Sequence, residues 1–91
     1  MCYDTLLFIE IIESIQGIKF LGQITEDDII IMKYQSLDGR LVLIDTTDEE
    51  MTPETGTALL IKLGLPHLVI SLFPEMDAKL RAIGHPNYPK T

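Results

Sequence analysis

Hydrophobic positions fall in short blocks along this chain, and the polar residues between them mark where elements start and stop. Asp4 can cap a first helix running to about Gln16. Leu6, Leu7, Phe8, Ile9, Ile11, Ile12 and Ile15 form its broad apolar face, with Glu10, Glu13 and Ser14 on the other side. That stripe is wider than one packing partner needs. It suits a central core helix, or a core helix whose Phe8 and neighbours also line a dimer interface. Gly17 ends the helix, residues 18–21 read as a first strand, and residues 22–28 read as a turn holding Glu26, Asp27 and Asp28. Residues 29–34 are nearly continuous in apolar side chains, which predicts a central strand. Asp38-Gly39 is a hairpin signal, so residues 41–44 should pair antiparallel with that strand.

Residues 45–50 break the strand with polar, turn-favouring side chains, and a helix start follows. Thr52 suits the N-cap and Pro53 the first helical position, while Glu54 faces the positive end of the helix dipole. Ala58, Leu59, Leu60, Ile61 and Leu63 supply a buried face, and Gly64 offers the left-handed residue that ends the helix. Residues 68–73 fit a fourth strand or a short buried helix, because a run of that length carries no deciding period. Pro74 opens a last helix with Met76, Leu80 and Ile83 on one face, closed at Gly84. Residues 85–91 hold Pro86 and Pro89 and read as an extended tail that only Tyr88 could anchor. The predicted fold is α+β: an α-β-β-β-α domain with a three-stranded antiparallel sheet, helices on one face, and a C-terminal helical extension. Residues 1–84 form one domain and residues 85–91 the tail.

Composition sharpens the picture. The apolar fraction is 46% and the mean hydropathy +0.22, more than a chain of 91 residues readily hides in one core. The surplus predicts an exposed apolar patch and therefore a partner surface, either a homodimer face or another protein. Either the exposed sheet face or an edge strand would serve, the sheet face hiding more apolar area, with acids at the rim. Seven Lys and Arg stand against 14 Asp and Glu, a formal charge of −7. The cations are scattered, so binding to nucleic acid or an anionic membrane is not expected, and a basic partner is. Cys2 is the only cysteine, which excludes an intrachain disulfide and fits a reducing cytoplasm. No apolar run reaches the length of a membrane-spanning helix.

Few residues offer chemistry. His67 and His85 are the only imidazoles, and neither belongs to a His-x-x-x-His pair; no Cys-x-x-Cys is present. His67, between Pro66 and an apolar run, suits capping or packing better than catalysis. Cys2 has no basic sequence neighbour to lower its pKa. The acids at 26–28 lack the alternating ligands and distal Glu of a calcium loop. No glycine-rich phosphate fingerprint occurs, so no cofactor is expected. The densest polar cluster is Asp45, Asp48, Glu49, Glu50 and Glu54, running into a helix N-terminus. Glu54, and in part Glu50, are explained by the helix dipole. Asp45, Asp48, Glu49 and Glu50 are the candidate docking residues for a basic partner.

From the first helix to Leu65, the element order resembles the HicA-type messenger-RNA interferase toxins. The resemblance is carried by the turn at Asp38-Gly39-Arg40, by residues 41–44, by Met51-Thr52-Pro53 with Thr55, and by the ending Leu63-Gly64-Leu65. It implies the small α-β-β-β-α fold of double-stranded-RNA-binding domains. That family's catalytic histidine follows a Gly-Ser pair entering the second strand, and residues 27–31 here hold neither glycine nor histidine. The resemblance therefore implies fold without ribonuclease activity, and no catalytic residue is carried over. The function expected is a non-enzymatic acidic interaction module that self-associates or docks a basic protein partner. The alternative is a diverged HicA-like protein, or a small metal-binding enzyme using the acidic loop.

Overall fold

A computed structural model describes residues 2–84 of the chain. Its order is β1 (Tyr3–Asp4), α1 (Thr5–Glu13), β2 (Lys19–Glu26), β3 (Ile29–Gln35), β4 (Leu41–Asp45), β5 (Glu50–Met51) and α2 (Pro53–Lys62). A 3-10 turn (Pro66–Leu68), α3 (Val69–Leu72) and α4 (Pro74–Ile83) follow. The predicted tail at 85–91, with His85 and Tyr88, lies outside the described residues.

Three strands form one antiparallel sheet in the order β2-β3-β4, so the apolar run at 29–34 is central as its pattern requires. Two-residue β1 and β5 make a separate antiparallel pair, Tyr3 opposite Met51 and Asp4 opposite Glu50. On the inner face of the sheet, Tyr34 of β3 and Val42 and Ile44 of β4 are buried with Phe8 and Ile12 of α1 and Leu60 and Leu63 around α2. The outer face of β4 presents Leu41, Leu43 and Asp45 to solvent, the alternation expected of a half-covered sheet.

The helix starts follow from the sequence. The Asp4 carboxylate accepts from the Leu7 N–H at 3.0 Å, and the Thr52 hydroxyl accepts from the Thr55 N–H at 3.2 Å with Pro53 at the first position. Gly64, at φ +81°, lets the chain turn back after α2. Within residues 68–73 the chain is helical and not a strand, Leu68 closing the 3-10 turn, Val69–Leu72 forming α3 and Phe73 linking it to α4, which settles the choice that periodicity left open. Val69 and Phe73 are buried there, and Phe73 packs edge-on against Tyr3 at 5.2 Å between ring centroids.

Two predicted boundaries move. The first helix stops at Glu13 with Ser14 as its cap, not at Gln16, because the Ser14 hydroxyl donates to the Ile11 carbonyl and the chain must reverse through Gly17. The first strand covers Lys19–Glu26 rather than residues 18–21, so most of the predicted turn at 22–28 is strand. A bulge between Phe20 and Gly22 shifts the register, and the reversal is confined to Asp27 and Asp28 at φ +50° and +66°. Ile83 was expected on the buried face of the last helix. It is exposed, while Leu80 and Asp77 are buried and Asp77 pairs with Arg81 at 3.0 Å.

Candidate functional site

On the inner side of the sheet, beyond the reach of α2, the ends of several elements enclose an open cleft of about 530 Å³. One wall is the first turn of α1, with Asp4, Thr5, Leu6 and Ile9; the other is Gln23 of β2 with Ile30 and Met32 of β3; residues 46–49 close the end. Ile9 is buried and Ile30 and Met32 are half-buried, so the bottom is apolar. Asp4, Asp48 and Glu49 are exposed at its edge, and among the described residues no Lys or Arg lines it. An apolar bottom edged by carboxylates suits a cation on an aliphatic stem, whose methylenes can lie on hydrocarbon while its head meets the acids.

The segment at 46–49 is held from both sides. The Thr46 N–H donates to the Ile30 carbonyl at 2.8 Å, and the Ile30 N–H donates to the Thr47 hydroxyl at 2.8 Å. The Thr5 N–H then donates to the Glu49 carbonyl at 2.9 Å, fixing the segment to α1. The last of these bonds uses the Glu49 carbonyl and not its carboxylate. Thr5 also lines the cleft, and its hydroxyl is buried with no hydrogen-bond partner among the described residues.

The four predicted docking acids separate in the structure. Asp48 and Glu49 lie at the cleft. Asp45 sits on the outer side of β4 and serves the loop: the Thr47 hydroxyl and N–H both donate to it, which holds its carboxyl below the usual range. Glu50 lies in β5 opposite Asp4 and does not line the cleft. Glu54 is in the first turn of α2, where the dipole accounts for it. Sequence reading took Asp4 only as a helix cap and missed its place at the cleft, along with Gln23, Thr46 and Thr47. The sole available signal was Thr46-Thr47 after a strand, which fits any turn.

Elsewhere, Glu26, Asp27 and Asp28 form an exposed hairpin tip, His67 is exposed in the 3-10 turn, and Cys2 is an exposed free thiol. Among the described residues no group of His, Cys, Asp or Glu converges in a way that could hold a metal ion. No described helix is long and apolar enough to cross a membrane. The class defined by fold and site is thus a small α+β domain with an acid-edged cleft. Comparison with protein families, with curated proteins and with solved structures finds no match for the chain.

Proposed function

We propose that this chain is a non-enzymatic interaction module whose cleft receives a lysine or arginine side chain of a basic protein partner. The observation that carries the reading is that Asp4, Asp48 and Glu49 all line one cleft with an apolar bottom, whose lining among the described residues holds no Lys or Arg. The net charge of −7 supports it by drawing cationic partners toward the domain at long range. Ribonuclease chemistry is no part of the proposal, because residues 27–31 hold no histidine.

The test is calorimetric titration of the full chain with a short lysine- and arginine-rich peptide, at low and at physiological salt. Changing Asp48→Asn together with Glu49→Gln should weaken binding by about tenfold or more and flatten its salt dependence. Folding should hold, because exposed charges contribute little to stability. A wild-type chain that ignores the peptide at low salt, or a double variant that binds it equally well, refutes the reading.

A further inference from the structure

The opposite face of the sheet poses a separate question, independent of the cleft. Register places Ile24 beside Ile31, Glu26 beside Ile29, Gly22 beside Lys33, and Lys33 beside Leu43. Strand alternation adds Leu41. Ile24, Ile29, Leu41 and Leu43 are between 43% and 61% exposed, though all four are aliphatic. No described helix covers this face, since Phe8, Ile12, Leu60 and Leu63 pack on the other one. A sheet with hydrocarbon on both faces and helices on one is half of a sandwich.

The charges on this face have an order. Lys19 and Lys33 lie toward the end that carries the Ser36–Arg40 turn, and Glu26 and Asp45 lie toward the end of the Asp27-Asp28 turn. Two symmetric ways exist to lay a second copy on it. With the two-fold axis along the strands, each end meets its own kind and Lys33 approaches Lys33. With the axis across the strands, the lysine end meets the acid end: Lys19 comes over Glu26 of the second copy, and Lys33 comes within reach of its Asp45. The face is therefore complementary to itself in one orientation only.

We propose that a second copy of this chain covers the outer face of β2-β3-β4, with its strands antiparallel to the first and the two-fold axis crossing them. The interface is isologous and closes at two copies. From strand spacing and rise, three strands of about seven residues offer roughly 14 × 23 Å, or about 330 Å² in projection on each copy. That is under half the roughly 800 Å² per partner of a standard specific interface, so the dimer is weak and transient, with a dissociation constant on the order of 10 µM or higher rather than nanomolar.

Sedimentation equilibrium of the full chain from about 1 µM to 1 mM tests this. The expected result is reversible dimerisation that Leu43→Glu abolishes, while circular dichroism stays native and cationic-peptide binding at the cleft is unchanged. Lys19→Glu alone should weaken the dimer about tenfold, and Lys19→Glu with Glu26→Lys should restore it. A 10.3 kDa species throughout overturns the proposal. So does a dimer indifferent to Leu43→Glu. A double exchange that fails to restore affinity overturns the orientation.

Discussion

Tyr34 is the residue on which the inner face turns. Its ring is fully buried beside Phe20 at 5.4 Å, while its hydroxyl reaches past the core and donates to the Glu13 carboxylate at 2.6 Å. The bond ties the end of α1 to the central strand. Burial first, and the Glu13 acceptor second, push the phenol far above its ordinary value. The unfolded chain gives up this proton near pH 10 and the folded chain holds it longer, so the stabilisation is complete below pH 10 and is lost as pH rises beyond it. Tyr34→Phe should cost about 1–2 kcal/mol at neutral pH, since a bond to an ionised acceptor is lost while Glu13 stays hydrated. Urea unfolding at pH 7, 10 and 11 checks both statements: the gap between wild type and variant should narrow above pH 10. A constant gap would show that the phenol is not what titrates.

At the scale of elements, the local signals were legible because their causes are local. Thr52 with Pro53, Asp4 and the reversal at Asp38-Gly39 each act within a few residues, and each is found where the sequence put it. In the second reversal the Ser36 hydroxyl bonds Asp38 and accepts from the Arg40 N–H at 2.9 Å, and that hydroxyl is the main cause of the lowered Asp38 carboxyl. The length of β2 was not legible, because the bulge at Phe20 and Gly22 breaks the alternation and only pairing with β3 makes residues 23–26 a strand. The cleft was less legible still: it needs Asp4, Gln23, Ile30 and residues 46–49, brought together only by tertiary structure.

Gly56 is another such case. In sequence it looks like a weak point in α2, yet an added Cβ would lie 2.4 Å from Cζ of Phe73 and 3.3 Å from Sδ of Met51. The Phe73 ring is itself held between Tyr3 and Phe8, with centroids at 5.2 and 6.4 Å, so it has little room to withdraw. Helix propensity favours alanine by about 1 kcal/mol, whereas overpacking costs about 1–3 kcal/mol. Gly56→Ala should therefore destabilise by up to about 2 kcal/mol despite the better helix former. Adding Phe73→Leu should cost less in that variant than in the wild type, which denaturation of the four chains would measure. A Gly56→Ala chain as stable as wild type would mean that α3 is not pinned to α2 here.

Among the described residues one continuous core is combined with one uncovered sheet face, and stability should report both. The buried cluster runs from Phe8 through Tyr34 and Leu60 to Leu80, so α4 has no separate core on which to unfold alone. A single cooperative transition is expected, with an enthalpy of about 60 kcal/mol per chain from average values per residue. If two copies cover their outer faces, unfolding also separates them, and mass action makes the midpoint depend on protein concentration. With two such enthalpies per dimer, each tenfold increase above the dissociation constant should raise the midpoint by about 4 °C. The Leu43→Glu chain should show no such rise, because its outer face cannot be shared. Its midpoint should match that of the dilute wild type, since Leu43 is about half exposed and contributes little to the core. Scanning calorimetry at 10 µM, 100 µM and 1 mM decides the matter. A wild-type midpoint fixed across that range means each copy stands alone with its outer face in water, and an early separate loss of α4 means the core is not one unit.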